Sequence, residues 1–419
     1  MFKFNFSADD LEFDDPSIAE QQEDDEVDRI SKPLEGLSVC EKNLVPASLL
    51  DLQAKTCYHS LPSTLHYELA HIPVTKGSGA ANAVLTTVST GAEKEVVTLY
   101  KRNLEDVKFQ MAQEDDEFEV EEIATKSNEP TGTTKTSGPG GVEMLALAGK
   151  SDLVKGVYEG GLKTWECALD LVAYLAENKE SYDGKKVLEL GCGSALPGIY
   201  ILTQSSSVKV DLQDYNDQVL KLVTLPNVLL NTHIRPDQQP AEEDEDGNDS
   251  EEKPVKDDDL RKDREGEDDE DDDEEDEIPE ADPADGDFIG VELDIPDSDE
   301  ERKALLQKVG LQSRFFMGDW AGLVDLLDFK SSDDKYDLIL TSETIYAEES
   351  HMKLYNTIKN SLKQGGKALV AAKTFYFGVG GDVLSFRRLI EKDGTFDVKV
   401  VFSAQAFVRR EILELTFKA

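Results

Sequence analysis

Glu189-Leu190-Gly191-Cys192-Gly193 ends a short apolar run, KKVLEL (185–190). The two glycines allow a sharp strand-to-helix turn and a close approach of backbone to a bound molecule. The acid decides what kind of molecule. A dinucleotide turn, G-x-G-x-x-G, needs a third glycine at 196, where this chain has Leu196. A carboxylate beside the turn also repels a pyrophosphate, but it suits a cationic amino group. E-x-G-x-G therefore favours S-adenosylmethionine, which carries an amino group and a sulfonium. A plain tight turn would account for the glycines but not for Glu189.

Five further segments hold chemistry-bearing residues. Asp214 ends the next apolar run, VKVDLQD (208–214), where an acid can accept from both ribose hydroxyls. Asp211 is its rival, but it falls mid-strand and is expected to face solvent. Asp319, the last residue of RFFMGD (314–319), and Trp320 after it suit adenine, the carboxylate taking the exocyclic amine and the indole packing on the base. Ser342-Glu343-Thr344-Ile345-Tyr346 follows YDLILTS (336–342). A polar cluster after a buried strand is expected to face a substrate, although Ser342 or Thr344 as a helix cap is the plainer alternative. Two glycine loops, Gly156 to Glu166 with Trp165, and Tyr376 to Gly381, are placed to wall the same mouth. Cys57, His59, His66 and His71 match no common zinc spacing, and no metal is expected.

These residues need elements to hold them. A helix is expected at 164–178, strands at 185–190 and 208–214, and helices near 196–204 and at 216–231. Strands at 314–319, 336–342 and 366–373 follow, with a helix at 349–363 between the last two. A helix at 382–392 then leads to strands at 396–403 and 407–417. Continuously apolar strands alternating with helices imply a parallel α/β sheet. The last two strands are joined too tightly for a crossover and should be antiparallel neighbours.

The chain has 419 residues and a net charge of −45. Residues 241–280 hold 25 acidic and 5 basic side chains. Such a block self-repels and is expected to be disordered. The whole of 233–310 reads as an acidic insertion in a domain spanning 141–419. Residues 1–140 read as a largely disordered N-terminal region, with a possibly ordered part at 36–110. So acidic a chain disfavours direct nucleic-acid binding and favours a basic protein partner. The four cysteines form no C-x-x-C pair, no apolar run is long enough to span a membrane, and the acidic N-terminus lacks a signal-peptide core. A soluble intracellular protein, cytoplasmic and nuclear, is expected.

Taken together, GVYEGGLKTWEC (156–167), VLELGCGSALPGI (187–199), QDYND (213–217), TLPNVLLN (224–231), FFMGDW (315–320), YDLILTSETIY (336–346) and KTFYFGVGG (373–381) resemble the histidine protein methyltransferase family. The resemblance covers about 150–417 apart from the insertion. It implies a seven-strand, Rossmann-like methyltransferase sheet, mostly parallel with an antiparallel C-terminal hairpin. It implies methylation of one histidine ring nitrogen in ribosomal protein three of the large subunit. By position, Glu189, Gly191 and Gly193 would cradle the methionine part of the cofactor, Asp214 the ribose, and Asp319 with Trp320 the adenine. Trp165, Glu166 and Ser342 would border the cofactor, and Glu343 and Tyr346 would face the substrate. Two other readings stay open: a lysine acceptor on another protein, and an acidic escort of a basic ribosomal protein that uses the fold as scaffold.

Overall fold

The computed structural model describes residues 45–74, 95–111, 160–236, 291–404 and 407–419. The expected disorder of 1–44 and of the acidic run 237–290 therefore lies outside the described residues. The main sheet has eight strands in the order β1-β7-β5-β4-β8-β9-β11-β10. These are β1 (Ser48–Leu49), β4 (Lys186–Leu190), β5 (Lys209–Asp214), β7 (Ser313–Met317), β8 (Tyr336–Ser342), β9 (Leu362–Lys373), β10 (Phe396–Ala404) and β11 (Arg410–Phe417). The five strands β7, β5, β4, β8 and β9 run parallel. β11 lies antiparallel between β9 and β10, as the short connection requires. The two-residue β1 adds an antiparallel edge to β7, so the seven expected strands gain an eighth.

Side chains alternate across each strand, so both faces of the sheet carry core. Val187 packs with Leu171, Leu175, Ile199 and Leu229, from helices Glu166–Asn178, Leu196–Gln204 and Leu225–Thr232. Leu188 and Leu190 pack on the other face with Leu323, Leu354, Ile358 and Phe386, from helices Trp320–Leu327, Glu348–Ser361 and Val383–Asp393. The chain first builds outward from β4 through β5 and β7, then returns to β8 on the other side of β4. In open α/β sheets that reversal leaves a crevice beyond the strand carboxyl ends, where ligands bind. Gly191, Asp214, Gly318 and Glu343 all sit at those ends.

Two elements depart from expectation. The helix expected at 216–231 is broken into Asp217–Val219, a π-turn Leu220–Thr224 and Leu225–Thr232. Pro226 explains the break, because it has no N–H to give the carbonyl four residues back. That carbonyl, Leu222 O, accepts instead from Arg102 Nη1 at 2.8 Å. The second departure lies at 291–310, which was read as the end of a structureless insertion. Val291–Asp294 is a strand, β6, and Asp299–Val309 a helix. β6 pairs with β2 (Thr64–Pro73), which also pairs with β3 (Val96–Arg102), giving a second, antiparallel three-stranded sheet. The helix starts on a capping residue hidden in the acidic run: Ser298 Oγ accepts from Glu301 N and donates to Glu301 Oε2. Leu305, Leu306 and Val309 then bury against the main core. Among the described residues, no helix is long and apolar enough to cross a membrane.

Candidate cofactor and acceptor site

The glycine turn is as tight as its composition requires. Gly191 and Gly193 have φ of +61° and +50°, in the left-handed region that favours glycine. A Cβ on Gly191 would fall 2.6 Å from Thr344 Cγ2, and one on Gly193 would fall 3.2 Å from the Gly161 carbonyl oxygen. Glu189 is 1% exposed. Its Oε2 accepts from Gly198 N at 2.8 Å in the first turn of helix Leu196–Gln204, while its Oε1 is buried with no partner. Burial, and then the like charge of Asp214, push its pKa up to about 8, although the Gly198 N–H pulls the other way. A buried, unpartnered carboxylate oxygen beside a glycine cradle fits a cationic ligand.

Gln213, which sequence reasoning passed over, ties three loops together. Its Oε1 accepts from Gly191 N at 3.2 Å and from Trp320 Nε1 at 2.7 Å, and its Nε2 donates to the Gly318 carbonyl at 2.8 Å. Asp214 next to it accepts at Oδ2 from Gly193 N at 2.9 Å and at Oδ1 from Asn216 N at 3.3 Å. Asp211 is buried instead of facing solvent: Arg314 donates to both its oxygens, at 2.9 and 2.6 Å, and the Tyr336 hydroxyl donates at 2.5 Å. Its carboxylate is therefore consumed in holding β5, β7 and β8 together. Asp319 caps helix Trp320–Leu327 by accepting from Ala321 N at 2.8 Å, and it also accepts from Lys353 Nζ at 2.9 Å. The Trp320 ring reaches toward Gly191, with Cζ2 3.8 Å from the position of a Cβ there.

A second cluster lies across the crevice. Ser342 closes β8 half-buried, and Glu343 follows in a left-handed conformation, φ +57°, only 9% exposed. Such a backbone is uncommon and strained for a glutamate. Glu343 N donates to Ala371 O at 2.9 Å, but neither carboxylate oxygen accepts a well-formed hydrogen bond. Lys373 Nζ stands 3.5 Å from Oε1. The Cys167 thiol and the Tyr376 hydroxyl are the other polar neighbours; burial first, then Glu343's charge, raise both their pKa values. Tyr346 is half-buried beside this cluster, and its carbonyl accepts from Gly381 N at 2.8 Å. Only glycine fits at 381, since a Cβ would fall 2.1 Å from Ile345 O.

Trp165 and Glu166 meet this second cluster. Glu166 Oε2 lies 3.0 Å from Lys373 Nζ, and that ammonium sits 5.0 Å from the Trp165 ring centroid. Trp165 Nε1 also donates to the Gly160 carbonyl at 3.1 Å, which anchors the loop before the helix. The crevice thus has two sides. Glu189, Gly191, Gly193, Gln213, Asp214, Asp319 and Trp320 form one, and Glu343, Lys373, Glu166, Trp165 and Tyr376 the other. The remaining candidate ligands disperse: His59 meets Asp299 at 3.0 Å, His66 lies between Asp106 and Glu292, and His71 meets Thr98.

A parallel sheet in this order with an inserted antiparallel β11, and a glycine turn led by a buried acid, define the seven-strand methyltransferase class. A family model described as lysine methyltransferase matches residues 150–244. The chain is 33% identical to a histidine protein methyltransferase 1 homolog of Bos taurus, over 65% of this chain and 59% of that one. It is 31% identical to histidine protein methyltransferase 1 of Schizosaccharomyces pombe, over 75% of this chain and 76% of that one. With the Saccharomyces cerevisiae histidine protein methyltransferase 1 it shares 30% identity, over 70% of this chain and 68% of that one. The chain belongs to the histidine protein methyltransferase family. It spans about three fifths of the length of the bovine and mouse relatives. S-adenosylmethionine is the methyl donor that this family and fold imply.

Proposed function

We propose that the chain is an S-adenosylmethionine-dependent protein-histidine N-methyltransferase. The acceptor is a histidine ring nitrogen of ribosomal protein three of the large subunit, a basic protein met in the cytoplasm and nucleus. The observation that carries the reading is the buried Glu343 carboxylate, set in a left-handed backbone at the carboxyl end of β8 with Lys373 Nζ 3.5 Å away. When bound, S-adenosylmethionine supplies an electrophilic methyl group on a sulfonium. Glu189, Gly191, Gly193, Gln213 and Asp214 would hold it. A neutral imidazole has one lone-pair nitrogen, which would accept that methyl group, the carbon–sulfur electron pair going to sulfur. Glu343 accepts a hydrogen bond from the other ring N–H, which fixes the tautomer and balances the imidazolium as it forms. The product ring then releases that proton to solvent, leaving a neutral methylimidazole.

The match to a lysine methyltransferase family model favours a second reading, in which the acceptor is a lysine on another protein. Glu343→Gln tests the role of the carboxylate. Turnover on the ribosomal protein should fall about 100-fold, within the range for a removed acid–base or electrostatic group, while the cofactor dissociation constant stays unchanged. Unchanged turnover rules out a tautomer-holding Glu343.

A further inference from the structure

We infer that Lys373 is a positioning residue of the acceptor site, acting through Glu343 as the centre of a Glu166–Lys373–Glu343 trio whose one net negative charge matches the charge developing on the acceptor ring. The inference rests on the histidine-acceptor reading above. Lys373 is the last residue of β9, and β9 pairs with β8 in a register that sets Ser342 opposite Ala371. That register brings the Lys373 side chain alongside Glu343. Its Nζ lies 3.0 Å from Glu166 and 3.5 Å from Glu343. Without a cation between them, two carboxylates would face each other across one small space. The side chains of Lys373 and Glu343 are 20% and 6% exposed, so water screens that pair little, whereas Glu166, at 57%, faces solvent.

The charges around the trio are already settled. Arg410 donates to both oxygens of Asp170, through Nε and Nη2. Cys167 and Tyr376 are neutral, with pKa values pushed up by burial and then by Glu343. Burial opposes the Lys373 charge, yet the hydrogen bond to Glu166 and the charge of Glu343 outweigh it, and the lysine pKa rises. Glu166 moves the other way, because its bond to Lys373 overcomes the cost of burial. The ammonium is therefore held by Glu166 and stacked on Trp165. It steadies Glu343 without cancelling the negative charge that an imidazolium needs. This gives Glu166 a place on the acceptor side of the crevice.

A charge-compensation series tests the trio on the full chain, with purified ribosomal protein as acceptor. Lys373→Met should lower kcat about ten-fold and leave the cofactor dissociation constant unchanged. The groups facing Glu343 are Lys373, Glu166, Cys167 and Tyr376, with the Arg410–Asp170 pair behind them. Removing the Lys373 charge should move the acid limb of the kcat profile to higher pH. Adding Glu166→Gln to Lys373→Met restores the single net charge and should recover most of the lost kcat; Lys373→Arg should do the same. A structural role for the lysine stem predicts no recovery in the double variant. Lys373→Gln carries the same expectation if the methionine variant fails to fold. Unchanged kcat and pH profile in Lys373→Met, alongside a crippled Glu343→Gln, would overturn the inference and leave the histidine reading standing. A fully active Glu343→Gln would instead bring down that reading itself.

Discussion

Replacing Glu189 with glutamine keeps the shape of the side chain and removes its charge, and the structure makes the two consequences opposite in sign. In the ligand-free protein the Glu189 pKa is raised from 4.5 to about 8, chiefly by burial. At about 1.36 kcal/mol per unit, that shift amounts to roughly 4–5 kcal/mol between the two protonation states. The folded pKa lies above the unfolded one, so the native state binds the proton more tightly. The associated stability is fully present below about pH 4.5 and is lost as pH rises toward about 8. Through that window, wild-type stability should fall relative to Glu189→Gln by about 1.4 kcal/mol per pH unit. Urea unfolding of both proteins, ligand-free, at pH 5, 6.5 and 8 reads this directly. Binding shows the other sign. A cationic cofactor amino group draws the proton off Glu189, so wild-type binding at pH 7 should release close to one proton, seen by calorimetry in buffers of different ionisation enthalpy. Glu189→Gln should release none and bind about 100-fold more weakly, as expected when a buried charge partner is removed. Identical pH dependence of stability in the two proteins would refute the reasoning.

Three further perturbations follow from contacts at the crevice. Gly191→Arg must displace Thr344 and adopt a strained backbone, so calorimetric titration should find no cofactor binding, while circular dichroism keeps the native spectrum. Gln213→Leu removes three hydrogen bonds, to Gly191, Trp320 and Gly318, and should cost about 1–3 kcal/mol of stability in a denaturant titration while weakening cofactor binding about ten-fold. Deleting 238–287 removes an acidic run outside the described residues and should leave cofactor affinity unchanged. It should slow methylation of full-length basic ribosomal protein at low salt more than at high salt, because screening acts beyond about 8 Å at physiological ionic strength. Coincident rates at every salt concentration would leave the run a plain spacer.

The main sheet was legible because its strands are continuous apolar runs punctuated by residues with one physical use. Glu189 interrupts such a run, and Gly191 and Gly193 allow a turn that other residues strain. The second sheet was not legible. β2 finds its partner β6 more than two hundred residues later, beyond the acidic run, and no local pattern reports a pairing that distant. Helix Asp299–Val309 was hidden because Asp299, Glu300 and Glu301 continue the acidic composition even as Ser298 caps them. The π-turn at Leu220–Thr224 left a trace in Pro226, but its stabilising partner, Arg102, comes from the second sheet. Gln213 and Lys373 stood inside recognised motifs without an assigned role. The first works as a hub only because β4, β5 and β7 lie side by side, and the second bridges two carboxylates only because β8 and β9 are neighbours.

The central claim is the identity of the acceptor. Large-subunit ribosomal protein three carrying no prior methylation is incubated with the full chain and labelled S-adenosylmethionine; one portion is hydrolysed to amino acids and another is digested to peptides and mapped. Label is expected in a single methylhistidine at one position, reduced about 100-fold with the Glu343→Gln variant. Label in methyllysine, or none in the ribosomal protein with an enzyme that binds its cofactor, would contradict it.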